Sequence, residues 1–166
     1  MMLSAEDDAP RAALPLADHA LLWTMQAWVV GHCRGGDVAG RIAGVYADLG
    51  APEAAGFLDG FMWAMSQGAT RVLEVNCVCC PEVSADERAL LDVFALQQQG
   101  REAEALDLLG GMMTPGAALA ARGSARRLVS ALNEAGHLLE AAEALRRHSL
   151  VPPPGRLVLP MPRWMH

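Results

Sequence analysis

Apolar residues recur at helical spacing along most of the chain. After Asp18, the positions Leu21, Leu22, Met25, Trp28, Val29 and Cys33 share one face of a 3.6-residue period, and Gly35-Gly36 stops the pattern. Asp18 carries the short side-chain oxygen that suits the cap of this helix. Asp37 is placed to cap a second helix, with Val38, Ile42, Val45, Tyr46 and Leu49 on its apolar face and Gly50 at its end. Pro52 falls in the first turn of a third, whose stripe is Phe57, Leu58, Phe61, Met62 and Met65.

The texture then changes. Residues 70–80, TRVLEVNCVCC, are rich in β-branched side chains and read as extended chain or a fraying helix. Ser84 and Glu87 form a capping box, in which each side chain satisfies the other residue's backbone N–H. The helix it opens carries Leu90, Leu91, Val93, Phe94 and Leu96 and closes at Gly100; Ala105, Leu106, Leu108, Leu109, Met112 and Met113 belong to the next. Thr114-Pro115 predicts a short helical turn, and Ser124 the cap of a separate helix through Leu128, Val129 and Leu132. After a turn at Gly136, Leu138, Leu139, Ala142 and Leu145 predict a last helix. Prolines at 152, 153, 154, 160 and 162 forbid helix beyond Val151.

The expected fold is therefore all-α, a single-domain bundle of six to eight helices arranged as helical hairpins over residues 16–150. A disordered or loosely packed segment, 1–15, precedes it, and an extended proline-rich tail, 151–166, follows. Leu21, Met25, Trp28, Leu58, Phe61, Leu90, Phe94, Leu109, Leu132 and Leu145 are expected in one core. The fragment RLVLP at 156–160 is the other strand-like piece, and two strands alone are marginally stable.

Three segments align around a glycine: 45–59, 95–109 and 131–145. An alanine follows the glycine by five positions in each, at Ala55, Ala105 and Ala141. Tyr46, Leu96 and Leu132 precede it by four. The pattern resembles the middle of a tetratricopeptide-type helical hairpin, which would imply a protein-binding module. Gly50, Gly100 and Gly136 are spaced by 50 and then 36 residues, however, and the aromatic anchors of the first helix of that repeat are missing. A plain helical bundle with glycine turns is the competing reading, and the chain is not assigned to the family.

Composition narrows the function classes. With 166 residues, 52% hydrophobic and 19% charged, the chain is expected to be globular. A net charge of −6 and a pI near 5.3 argue against non-specific nucleic-acid binding, which needs clustered positive charge. All 13 basic residues are arginine, which together with the heavy use of alanine and glycine reads as compositional drift. The most apolar stretch, 20–31, is shorter than the roughly 20 residues that cross a bilayer, so no membrane partner is expected. The acidic start, MMLSAEDDAPR, lacks the basic n-region of an export signal, so a cytoplasmic location with reduced cysteines is expected.

Catalytic patterns are sparse. There is no phosphate-binding loop with a lysine, no nucleophile elbow and no HExxH. Glu134 and His137 form a single ExxH, half of the pairing used by bundle di-iron sites, with Gly136 inside it. The densest chemistry is VNCVCCPEV at 75–83. Cys77, Cys79 and Cys80 read either as small apolar packing residues, as ligands for zinc or copper, or as reactive thiols. Cys33 and His32 are the donors that would complete a metal set, and packing is the expectation carried forward. The methionine pairs Met62 and Met65, and Met112 and Met113, are expected in the core rather than on copper. The expected function is a helical adaptor or regulatory module that binds an unknown protein partner, without catalysis or a cofactor. The alternative is a metal-binding or thiol-redox protein centred on the three cysteines.

Overall fold

The computed structural model describes residues 9–140 of the chain. The helix expected over 138–145 lies mostly outside that range, as do Leu145 and the proline-rich tail. The described residues form seven helical segments and no strand. They are α1 (Ala9–Ala12, a single turn), α2 (Leu16–Arg34), α3 (Val38–Asp48), α4 (Ala54–Gly68), α5 (Ala85–Gln98), α6 (Glu102–Gly110) and α7 (Pro115–Glu134).

The apolar stripes dictate which faces meet. Leu21, Leu22 and Met25 of α2, Leu58, Phe61 and Met62 of α4, Leu90 and Phe94 of α5, Leu109 of α6 and Leu132 of α7 lie in one buried cluster. Phe61 and Phe94 lock α4 to α5 with ring centroids 4.6 Å apart and planes inclined by 50°. The methionines at 62, 65, 112 and 113 are all buried within this core. Tyr46 is fully buried, and its hydroxyl lies 2.9 Å from the Thr24 hydroxyl, which itself donates to the Leu21 carbonyl. Burial pushes the Tyr46 phenol well above its ordinary pKa.

Helix boundaries follow capping chemistry in some places and depart from it in others. Asp37 caps α3 by accepting the Gly40 N–H at 3.1 Å, and Gly50 and Gly100 take the positive φ that closes the turns after α3 and α5. Asp18 does not cap α2. That helix begins two residues earlier, after Pro15, and the fully buried Asp18 carboxylate accepts the Glu140 N–H at 3.0 Å.

Thr114-Pro115 opens no short turn but a 20-residue helix that runs through Gly123 and Ser124 without a break. Ala118, Ala121, Ala125, Leu128 and Leu132 bury a continuous face there, and this tertiary gain outweighs the weak helix propensity of glycine and serine. Residues 137–140, after the turn at Gly136, are not helical. In the third aligned segment, 131–145, the described part therefore ends in non-helical chain at 137–140, and the remainder lies outside the described residues.

The most extensive helix–helix packing joins α4 to α7. A repeat stack would pair each helix mainly with its near neighbours in sequence, so this arrangement is a bundle. Small residues let the two backbones approach. A Cβ added at Gly68 would come within 2.0 Å of the Ala117 Cβ, and one at Gly60 within 3.0 Å of the Ser124 hydroxyl. Part of the alanine and glycine content that reads as compositional drift thus builds this seam. Gly68→Ala is expected to cost about 1–3 kcal/mol in urea unfolding, as overpacking of a filled core does. Ala117→Gly in the same chain should recover part of the loss. A Gly68→Ala protein as stable as the parent would show that the seam is looser than described.

Candidate functional site

The extended segment between α4 and α5 carries the cysteines, and its course is set by the first turn of α5. The Ser84 hydroxyl accepts the Glu87 N–H at 3.1 Å, and Glu87 Oε2 accepts the Ser84 N–H at 2.8 Å, which completes the capping box. The other Glu87 oxygen accepts the Asn76 N–H and the Gln26 side-chain amide, each at 2.8 Å. Glu87 is only 1% exposed, so one buried carboxylate ties the segment, α2 and α5 together. The Ser84 hydroxyl in turn donates to the Glu74 carbonyl at 2.6 Å.

Outside this buried anchor, the Arg71 guanidinium forks onto Asp86 at 2.7 and 3.1 Å, and Asp86 also accepts the Glu74 N–H at 2.7 Å. These partners hold the Asp86 carboxyl below the usual carboxylate range. At the other end, Asn76 donates its side-chain amide to the Glu82 carbonyl at 2.9 Å, closing a loop over the cysteines. Both ends of the segment are fastened, while the middle stands out in solvent.

Within that loop, residues 77–80 form a tight turn with the Cys80 N–H donating to the Cys77 carbonyl at 3.0 Å. The turn brings the Cys77 and Cys79 sulfurs to 2.7 Å from one another. Both residues are exposed, and Cys80 is half-buried. Packing in the core, the expectation for this cluster, is therefore not what the cysteines do. Val72, one of the β-branched residues of the 70–80 stretch, is 93% exposed. The loop is pinned by polar contacts to α5, so its β-branched residues have no sheet or core to enter.

The two thiols are electrostatically distinct. The sulfur–sulfur hydrogen bond with Cys79, in which either thiol could be the donor, and backbone N–H groups of Cys79 and Cys80 lower the Cys77 thiol below its ordinary pKa. Cys79 is displaced upward, because its proton is held on the Cys77 sulfur and a charge there opposes a second one.

The base of α2 supports the loop from beneath. Arg11 donates to the Cys80 carbonyl at 2.9 Å and to His19 Nε2 at 3.2 Å. Burial, followed by the Arg11 charge, lowers the His19 pKa. Arg11, Leu14, His19, Cys79, Cys80 and Pro81 border an open cavity of about 410 Å³. Arg11 and His19 were not legible as site residues, because Arg11 meets Cys80 across 69 positions of sequence with no local signal.

His32 and Cys33 lie at the far end of α2. His19 borders the cysteine cavity, and thirteen residues of helix separate it from His32, roughly 20 Å at helical rise. The His32 ring is stacked on Trp28 with centroids 3.6 Å apart, and Cys33 is exposed. Of Cys77, Cys79, Cys80, Cys33 and His32, only the first two bring their sulfurs together. Among the described residues, no three histidine, cysteine or acidic side chains are gathered as a metal-ion set. His137, of the ExxH, instead donates Nε2–H to the Leu49 carbonyl at 2.7 Å, fastening the turn after α7 to the end of α3.

The fold and this loop together define an all-helical bundle bearing a solvent-facing dithiol. Comparisons with protein-family models, with curated proteins and with solved structures found no match. Among the described residues, no helix is long and apolar enough to cross a membrane.

Proposed function

We propose that this protein acts through thiol–disulfide exchange, with Cys77 as the attacking sulfur and Cys79 as the resolving one. The observation that carries the reading is the 2.7 Å approach of two exposed, reduced sulfurs. A disulfide needs them at about 2.05 Å, a short further closure. Two thiolates on one zinc ion, each about 2.3 Å from it in tetrahedral geometry, would stand roughly 3.8 Å apart. Either closure is a small movement of this turn, and the disulfide reading follows from the lack of a third donor gathered with the pair among the described residues. An adaptor role, the other expectation from sequence, rests on missing catalytic motifs and names no residue.

The exchange balances as follows. The Cys77 thiolate attacks one sulfur of a small organic disulfide, forming a mixed disulfide and expelling one thiolate, which takes up a proton. Cys79 then loses its proton and attacks the Cys77 sulfur. The Cys77–Cys79 bond forms, and the second thiol leaves. Two protein thiols are oxidised and one external disulfide is reduced to two thiols. Oxidised glutathione serves as the probe. The parent should retain no adduct, whereas Cys79→Ser should trap the mixed disulfide on Cys77, seen by intact mass. A Cys79→Ser protein that traps nothing, while the parent also fails to lose thiols, would contradict the reading.

The asymmetry of the pair predicts a pH effect. The Cys77 thiolate persists to lower pH than an ordinary cysteine because the Cys79 thiol donates to it. Cys79→Ala removes that donor, so the pH profile of Cys77 alkylation by iodoacetamide should move upward. An unchanged profile would show that the backbone N–H groups alone set the Cys77 thiolate.

A further inference from the structure

A second site lies at the opposite end of α2, where that helix meets α3 and α4. Trp28, His32, Val38, Ile42, Leu58 and Asp59 border a cavity of about 390 Å³, the size of a small-molecule pocket. Its walls are mainly apolar, and its polar side chains have been sorted by their own contacts. The Trp28 indole N–H is spent on Asp59 Oδ1 at 2.9 Å. His32 Nδ1 lies 2.9 Å from the Trp28 carbonyl, which only accepts, so this nitrogen donates. The second Asp59 oxygen is an acceptor.

One indole holds both groups. His32 stacks on its face with centroids 3.6 Å apart, and Asp59 binds its N–H. Trp63, 44% exposed, packs edge-on against both rings, 5.4 Å from Trp28 and 5.1 Å from His32, and so fixes their orientation. Arg41, the nearby cation on α3, is directed over the Trp23 ring at 5.4 Å. The side chains at the pocket therefore present the Asp59 carboxylate beside an apolar floor, and the lining also takes in Val38 and Ala39 at the start of α3.

We infer that this pocket binds a small organic amine as its ammonium ion, with the charged head on the Asp59 carboxylate and an apolar body on Ile42, Leu58 and Val38. An ammonium carries donors only, which suits the Asp59 oxygen not engaged by the Trp28 N–H. An anion or a neutral acceptor would leave Asp59 opposed or unpaired. The site is independent of the dithiol, from which α2 separates it by roughly 20 Å.

The test is titration of the full chain with phenethylamine, followed by calorimetry and by the Trp28 indole N–H resonance. Phenylethanol, the near-isosteric neutral alcohol, is run in parallel. Saturable one-to-one binding of the amine is expected, with the alcohol weaker by about tenfold or more, the loss of one charge-assisted hydrogen bond. Asp59→Asn keeps an amide oxygen for the Trp28 N–H while removing the charge, and should weaken the amine by a similar factor without moving the alcohol. Equal binding of amine and alcohol, unchanged amine affinity in Asp59→Asn, or no saturable shift of the Trp28 resonance would each overturn the inference.

Discussion

Glu87→Ala is expected to destabilise the protein by about 3–5 kcal/mol and to loosen the cysteine loop. Three N–H donors converge on this buried carboxylate: Ser84 N, Asn76 N and the Gln26 side chain. Each buried donor left unpaired costs about 1–3 kcal/mol, and water entering the vacated space recovers part of the sum. Helix α5 also loses half of its capping box. The Asn76 contact gives the substitution a local signature, since amide exchange at Asn76 should quicken more than exchange within α7. Glu87→Gln keeps one oxygen acceptor but turns the other position into a donor, and should fall between the parent and alanine. A loss below about 1 kcal/mol for Glu87→Ala in urea unfolding would mean that the loop is held elsewhere.

Phe94→Ala should cost about as much, roughly 3–5 kcal/mol, by a different route. Phe94 is fully buried and its ring meets Phe61 at 4.6 Å, so truncation leaves a cavity between α4 and α5. The edge of that cavity is formed by helices that are themselves fixed by α7, which limits collapse. Denaturant midpoints should fall with little change in slope, since the exposed surface of the unfolded chain hardly changes. The dithiol is expected to keep its reactivity in the folded Phe94→Ala protein, because the loop anchors at Glu87 and Ser84 lie about two and nearly three helical turns away. A loss below about 1 kcal/mol would place Phe94 outside the core.

Much of the core was legible from spacing alone. Leu21 and Met25 of α2, Leu58 and Phe61 of α4 and Leu90 and Phe94 of α5 repeat at helical period because one face of each helix must be dry. The Ser84–Glu87 capping box was legible for the same local reason, as its four residues satisfy one another. What it did was not legible. Glu87 also serves Asn76 and Gln26, and contacts across 11 and 61 positions leave no trace in a local pattern.

The sequence pattern divides α7 in two, with Thr114-Pro115 opening a short turn and Ser124 capping a separate helix. The buried alanine face of α7, closely packed on α4, overrides that weak signal. Asp18 looked like a cap because aspartate near a helix start often is one, yet it serves Glu140 across the fold. The cysteines misled most. Cysteine is commonly buried, but Cys77 and Cys79 are exposed because the chain on either side is fastened by Arg71, Asn76, Ser84 and Glu87. Nor does spacing single out a pair among the three, whereas the turn brings together the sulfurs of Cys77 and Cys79.

That choice of partner is the most direct point at which the account can fail. The full-length protein is oxidised with oxidised glutathione, its remaining thiols are alkylated, and the linkage within the 75–83 segment is read by tandem mass spectrometry. Of the four cysteines, two should escape alkylation, and fragmentation should place the bond between Cys77 and Cys79. Four alkylated cysteines, or a bond from Cys77 to Cys80, would contradict it.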